Sequence, residues 1–347
     1  MLGRRDFLKG LALGGGAVLL GACAPAPSPA PVPSPAPPTT PPKEEKAMTR
    51  VVLVKTRERA AGVRRALELL KPPSPSGQDV LLKPNFNSAH PAPGSTHGDV
   101  LRTLVAWLKE TGARTITVAD RSGIGNTRRV MEEKGVFDLG RELGFQVLVL
   151  DEMEKEDWEP VQVPGGHWRD GFYFARIARQ APYIVQTCNL KTHRFGGHFT
   201  LSLKNSVGLV ARTLPGQTRN YMFELHSSPS QRLMIAEINT AYTPTLILLD
   251  GLEAFVEGGP EAGKRVEPGV ILAGTDRVAI DAVGVAILRH FGTTGEVSRG
   301  PIFQQEQIAR AVELGLGVDG PQKIELATPD MESGNFAETI GKVLVGG

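Results

Sequence analysis

The chain has only two cysteines, Cys23 and Cys188, in 347 residues. Cys23 falls in an amino-terminal leader, so Cys188 is the only thiol of the body. A lone body thiol excludes an intramolecular disulfide there, and with it any all-cysteine zinc or iron–sulfur site. Because Cys188 lies in the apolar run Tyr183–Cys188 (YIVQTC), a buried, inert thiol is expected. An excess of either charge is missing as well: 39 Lys and Arg face 37 Asp and Glu. Arg4, Arg5 and Lys9, less Asp6, supply the whole net charge of +2, which leaves the remainder neutral. A nucleic-acid partner is not expected, because its footprint is a basic excess. The apolar run Leu11–Ala22 is too short to span a bilayer stably.

That short run has signal-peptide proportions. Gly3–Lys9 reads GRRDFLK, a twin arginine, and the run closes as Leu20-Gly21-Ala22-Cys23, which resembles a lipobox cut before a lipid-modified cysteine. Residues 1–23 are therefore expected to be a twin-arginine signal peptide, handled by the twin-arginine export machinery, with lipidation at Cys23. Such export carries folded proteins, so the product is expected in the cell envelope. Lipid would hold it at the outer face of the cytoplasmic membrane, or in the periplasm or outer membrane. Ala24 rather than an aspartate follows Cys23, so retention at the inner membrane is not signalled. Residues 24–48 form a proline-rich linker whose Ala24–Pro42 segment favours extended polyproline II.

Residues 49–347 read as one α/β domain. Arg50–Lys55 (RVVLVK), Asp79–Leu82, Thr115–Ala119 (TITVA) and Phe145–Leu150 (FQVLVL) have strand character, and between them lie stretches with helical apolar spacing. That alternation predicts βαβ units, hence a mostly parallel sheet with helices on both faces. Across about 152–180 the rhythm changes, and a small antiparallel insertion is expected. Right-handed crossovers bring the carboxyl ends of the parallel strands to one edge, where open α/β sheets hold ligands.

The residues with chemistry gather at those ends. Asn189–Val210 (NLKTHRFGGHFTLSLKNSVGLV) supplies Lys191, His193, His198, Lys204 and Asn205 between a predicted strand and a helix starting near Thr200. Lys83 and Asn85 follow the second strand. Asp120 follows the third, with Gly123 and Gly125 leading into a helix that can present backbone N–H groups to an anion. Asp250 ends the strand Thr245–Leu249. Imidazoles can bind a metal or move protons near neutral pH, and the cations suit an anionic ligand. A solvated histidine pair and an ordinary polar helix face are the plainer alternatives. Residue 128 is Arg128 where a dinucleotide fingerprint needs its third glycine, so nicotinamide binding is not expected. Asp276 is read as a helix N-cap. Asp281, mid-helix in apolar surroundings, needs a lysine or backbone donors for company. The polar stretch Ala211–His226 can form a lid carrying Arg212, Arg219 and His226.

VLLKPNFN, TVADRSG, NLKTHRFGGHFTLSLKNSVGL and DGLEAFVEGGPEAG…ILAGTDRVAIDAVG, in that order, resemble the family known as domain of unknown function 362, over roughly residues 50–320. Members of that family often carry ferredoxin-like cysteine motifs. This chain has none, so their redox role is not carried over to it. A remoter likeness, at the level of fold, is to the nickel-pincer lactate racemase superfamily, in which paired histidines shuttle a proton α to a carboxylate. By that analogy His193 and His198 would be the acid/base pair, and Lys83, Lys191 and Lys204 would grip the anion.

The expectation is thus an envelope-tethered enzyme acting on a small anionic substrate, a carboxylate or phosphate. His193 and His198 serve as acid/base groups or as ligands of a divalent metal, assisted by Asp120 and Asp250. Lys83, Asn85, Lys191, Lys204 and Asn205 hold the substrate. A non-catalytic anion- or metal-binding lipoprotein is the alternative from another class, and a redox-associated protein a third.

Overall fold

The computed structural model describes residues 48–346. The signal peptide, most of the proline-rich linker and Cys23 lie outside the described residues. Among the described residues twelve strands follow in chain order. These are β1 (Thr49–Lys55), β2 (Asp79–Lys83), β3 (Thr115–Asp120), β4 (Gln146–Val149), β5 (Trp158–Val161) and β6 (Phe172–Ala175). The second half adds β7 (Tyr183–His193), β8 (His198–Phe199), β9 (Leu246–Gly258), β10 (Gly263–Val266), β11 (Val270–Gly274) and β12 (Ile324–Ala327). The main sheet runs β12-β1-β11-β9-β7-β2-β3-β4, with β10 added to β9 and β8 to β7. Along that path only β11 runs against its neighbours; β9, β7, β2, β3 and β4 pair in parallel, as do β1 and β12. The fold is α/β with a mostly parallel sheet, and β5 and β6 form the small antiparallel pair.

Helices cover both faces because the strand residues alternate. Val51 and Leu53 enter one core, while Val52 and Val54 enter the other. Ile247 and Leu249 likewise oppose Leu246 and Leu248, as a period of two requires. Arg277–His290 packs in the first core, and Gly98–Glu110 in the second. A third cluster joins Phe172 and Phe174 of the insertion to Met234, Ile235 and Leu225. Asp276 caps its helix as expected, accepting from Val278 N and Ala279 N at 2.8 and 2.9 Å.

Two expectations need correction. The strand predicted to stop at Cys188 runs on to His193, and all its residues are buried. Its polar half continues in the sheet because β9 pairs with it past a register shift between Asn189 and Lys191, and β8 then pairs His198 with His193. The helix expected from Thr200 is only a short turn, Ser202–Asn205, followed by a 3-10 turn, Ser206–Leu209. Asn126 caps the helix after β3, its side chain accepting from Arg129 N.

Candidate active site

β7, β2 and β3 are parallel neighbours, so their carboxyl ends bring Lys191 and His193, Lys83, and Asp120 to one edge. Lys83 Nζ lies 2.7 Å from Asp120 Oδ1, and both side chains are buried. The same ammonium donates to Pro84 O at 2.6 Å and to Asn205 Oδ1 at 3.0 Å, which uses its three protons. Asp120 also accepts from the backbone N–H groups of Phe86 (2.6 Å) and Arg121 (2.7 Å). Burial pushes Asp120 up and Lys83 down. The three donors converging on the carboxylate oppose that and favour the ionised pair. Gly208 is needed for this approach, because a Cβ there would stand 2.9 Å from Lys83 Nζ and closer still to Asp120.

The wall continues through amides. Asn205 Oδ1 also accepts from Asn85 Nδ2 at 3.1 Å, and Asn205 Nδ2 donates to Thr187 O at 2.8 Å. Asn85 Oδ1 accepts from Lys191 Nζ at 3.0 Å, and Lys191 also donates to Gly94 O at 2.6 Å. Burial, reinforced by Lys204, pushes Lys191 down to about 7. Asp120, Lys83, Asn205, Asn85 and Lys191 therefore form one connected network, with Lys191 set behind the wall.

In front of this network is a cavity of about 280 Å³, whose lining includes Lys83, Asn85, Asp120, His193, Lys204 and Asn205. Lys204 is 8% exposed, and its ammonium has no hydrogen-bond or ion-pair partner among the described residues. Burial, with Arg121 adding to it, pushes its pKa down to about 8. His193 is also buried, and its Nδ1 is without a partner. Burial first, then Lys204 and His226, hold it well below the ordinary imidazole value. Gly197 lets the two side chains approach: a Cβ at that position would lie 2.9 Å from His193 Nδ1 and 3.0 Å from Lys204 Cε.

Not every expected residue faces this cavity. His198 pairs with His193 through the backbone but does not line the cavity; burial lowers its pKa, and the charges acting on it are Arg232, Glu306 and Glu296. Its φ of 60° places it in the left-handed region, at the tight return between β7 and β8. Asp250 is also outside. Arg59 Nε donates to its Oδ2 at 2.9 Å and Leu252 N to its Oδ1 at 3.1 Å, so the carboxylate is spent on the helix packed over the strand. His193 and His198 therefore do not share this cavity. Among the described residues no group of three or more His, Cys, Asp or Glu is arranged to hold a metal ion.

Among the other residues lining the cavity, His226 and Arg121 bring ionisable groups. His226 sits on the helix Tyr221–Ser227, in the segment read as a lid, and Asn220 caps that helix by accepting from Phe223 N. Its Nδ1 is 2.8 Å from Met222 O. A carbonyl only accepts, so Nδ1 carries the proton and the neutral ring keeps a lone pair on Nε2. Burial and Lys204 lower its pKa. The His193 and His226 rings lie 6.4 Å apart, centroid to centroid. Arg121 donates from Nε to Val210 O (2.8 Å) and from Nη2 to Val207 O (2.7 Å), which lashes the 3-10 turn to β3. Burial pushes it down to about 10, and it remains a cation. Helical spacing of Tyr221, Met222 and Leu225 behind Asn220 was the available signal for His226. For Arg121 the signal was only its place at the carboxyl end of a strand.

Arranged in this way, the cavity has two neutral imidazoles and two cations that no carboxylate neutralises directly. The net field is positive, and an entering anion would raise both imidazole pKa values.

Residues 80–286 match the sequence family described as a domain of unknown function (DUF362). A thylakoid-associated protein of Synechocystis is 27% identical over 224 residues, 61% of this chain. The match spans 64% of that relative's length. The solved lactate racemase apoprotein of Thermoanaerobacterium thermosaccharolyticum is similar over 68% of this chain and 56% of its own, with 18% identity and a TM-score of 0.41.

Proposed function

The chain belongs to the family of the domain of unknown function (DUF362), and from that premise we propose that it is an enzyme performing acid/base chemistry on a small anionic substrate, a carboxylate or phosphate. The observation that carries this reading is the convergence of His193, His226 and the partnerless Lys204 on one cavity. Lys204 and Arg121 supply the attraction for the anion. His226, with its lone pair on Nε2, accepts a proton from the substrate, and His193 across the cavity returns one to the other side. A positioned acid/base pair contributes about 10²–10⁴-fold in rate. Lys83, Asp120, Asn85, Asn205 and Lys191 hold the wall in shape, because their polar atoms are engaged with one another. Asp250 and His198 take no part in the chemistry on this reading.

A panel of small carboxylates and phosphates tests the proposal, with turnover and deuterium exchange from solvent as readouts. Turnover or exchange that falls in His193→Ala and His226→Ala supports it. Tight anion binding with neither process would leave a binding lipoprotein.

We also propose that the α/β domain of residues 49–347 reaches the cell envelope in folded form and is anchored there by lipid on Cys23. The twin arginine, the short apolar run and the lipobox-like ending support this. No helix among the described residues is long and apolar enough to cross a membrane. Cys23→Ala is expected to release the protein to the soluble fraction, and Arg4→Lys with Arg5→Lys to block its export; unchanged membrane attachment of Cys23→Ala would refute the anchor.

A further inference from the structure

Three lysines surround the cavity, and their surroundings differ. Lys83 gives its protons to Asp120, Asn205 and Pro84, and Lys191 donates to Asn85 and Gly94. Both are tied into the wall. Lys204 is buried too, 8% exposed against 1% for each of the others, but it has no acceptor among the described residues and faces the cavity. A buried ammonium without an acceptor is a costly arrangement. The Arg121 guanidinium makes it costlier still, and the one carboxylate in the cavity lining, Asp120, is bound to Lys83. Losing the proton relieves that cost and leaves a nucleophilic amine.

We propose that Lys204 forms an imine with the carbonyl carbon of a 2-oxo acid bound in this cavity. The inference rests on the anion site proposed above and names its substrate class. The substrate carboxylate answers the charge of Arg121, which stays cationic when Lys204 is neutral. The Nζ lone pair attacks the carbonyl carbon, a C–N bond forms, and the π pair moves to oxygen. One amine proton passes through an imidazole to that oxygen, giving a carbinolamine. A second proton, delivered to the hydroxyl by an imidazole that has taken it from solvent, lets water leave as the C=N bond forms. The balance is amine plus carbonyl plus one proton, giving an iminium and water.

His193 is placed for the relay. Its Nδ1 has no partner, and Gly197 keeps it next to the Lys204 side chain. The iminium draws electrons from the adjacent carbon, whose proton His226 Nε2 can then accept. An amine lowered by desolvation and a nearby cation is an established way of activating lysine for this chemistry.

The test is reductive trapping of the full-length protein with pyruvate and sodium cyanoborohydride, followed by peptide mapping. A reduced adduct on the peptide holding Lys204 is expected. At pH 7 a pKa of about 8 leaves roughly 200–300-fold more neutral amine than an ordinary lysine has, and labelling should favour Lys204 accordingly. Lys204→Arg should lose the adduct, while Lys342→Arg, on the distant carboxyl-terminal helix, should keep it. If Lys204→Arg fails to fold, the wild-type peptide map decides alone. Pyruvate binding seen by calorimetry without an adduct on Lys204 would overturn the imine and leave the anion site standing. Absence of both would overturn the anion site as well.

Discussion

His193 and His226 face each other with ring centroids 6.4 Å apart and planes inclined by 30°, although they come from a sheet strand and a helix 33 positions further along the chain. Both are neutral imidazoles lining the same cavity. His193→Ala and His226→Ala are each expected to reduce turnover or solvent exchange by about 10²–10⁴-fold. His198→Ala should leave it within a few-fold, since that ring is outside the cavity. Equal losses in all three variants would count against the assignment.

The fold was readable because it rests on patterns the chain states locally. Alternating strand and helix periods gave the parallel sheet, and the change of rhythm after Glu152 gave β5 and β6. The site was half readable for the same reason. Lys83, Asp120, His193 and Lys204 follow strands, and parallel strands bring such ends together. His226 was legible only as part of a lid segment, because no strand places it; the packing of its helix over the sheet edge does. His198 misled because it lies five positions from His193 in a hairpin, and nearness in sequence there does not bring its ring to the cavity. Asp250 was expected to end a strand, but β9 runs on past it to Gly258, and Arg59 engages it from the helix packed above. Asp281 followed its chemistry: a buried carboxylate needs donors, and it finds backbone N–H groups.

Lys204 sets the pH range for anion binding. The cavity it faces also holds Arg121, His193, His226 and the Lys83–Asp120 pair, with Lys191 behind the wall, and the one carboxylate among them is bound to Lys83. Its charge is present below about 8 and is lost above. Sulfate, which does not titrate in this range, should therefore bind well at pH 7 and weaken by up to roughly tenfold per unit above pH 8. Calorimetry of sulfate binding from pH 6.5 to pH 9.5 checks this. Lys204→Gln should bind weakly with little change over the same range; an identical slope in that variant would assign the titration elsewhere.

Lys83 and Asp120 are too buried to be separated cheaply. Lys83→Met leaves the Asp120 carboxylate without its cation and is expected to destabilise the protein by about 3–5 kcal/mol. Adding Asp120→Asn removes the stranded charge, so the double variant should recover part of the loss. Urea denaturation of the two single variants and the double gives the coupling directly. Strict additivity would mean that the 2.7 Å contact does not govern the stability of this edge.

Asp281 links the deepest helix to the cavity. Its carboxylate accepts from Ser202 N at 2.7 Å and from Leu203 N at 3.2 Å, the first residues of the turn that carries Lys204 and Asn205. Burial raises its pKa to about 8, against these donors, which lower it. The folded state therefore keeps this proton up to about pH 8, whereas an unfolded chain releases it near pH 3.9. Between those limits the native state binds more protons, so this group makes stability fall as pH rises, until the native carboxyl is itself ionised. Asp281→Asn, which keeps an acceptor for Ser202 but cannot ionise, should gain stability relative to wild type as pH rises from 4 to 8, most visibly as a growing difference in Tm. Asp281→Ala should instead lose about 1–3 kcal/mol across the range, because two buried backbone donors are left bare. It should also weaken sulfate binding, since the turn holding Lys204 loses its anchor. A Tm difference between Asp281→Asn and wild type that does not change with pH would show that this carboxyl is not the proton-linked group.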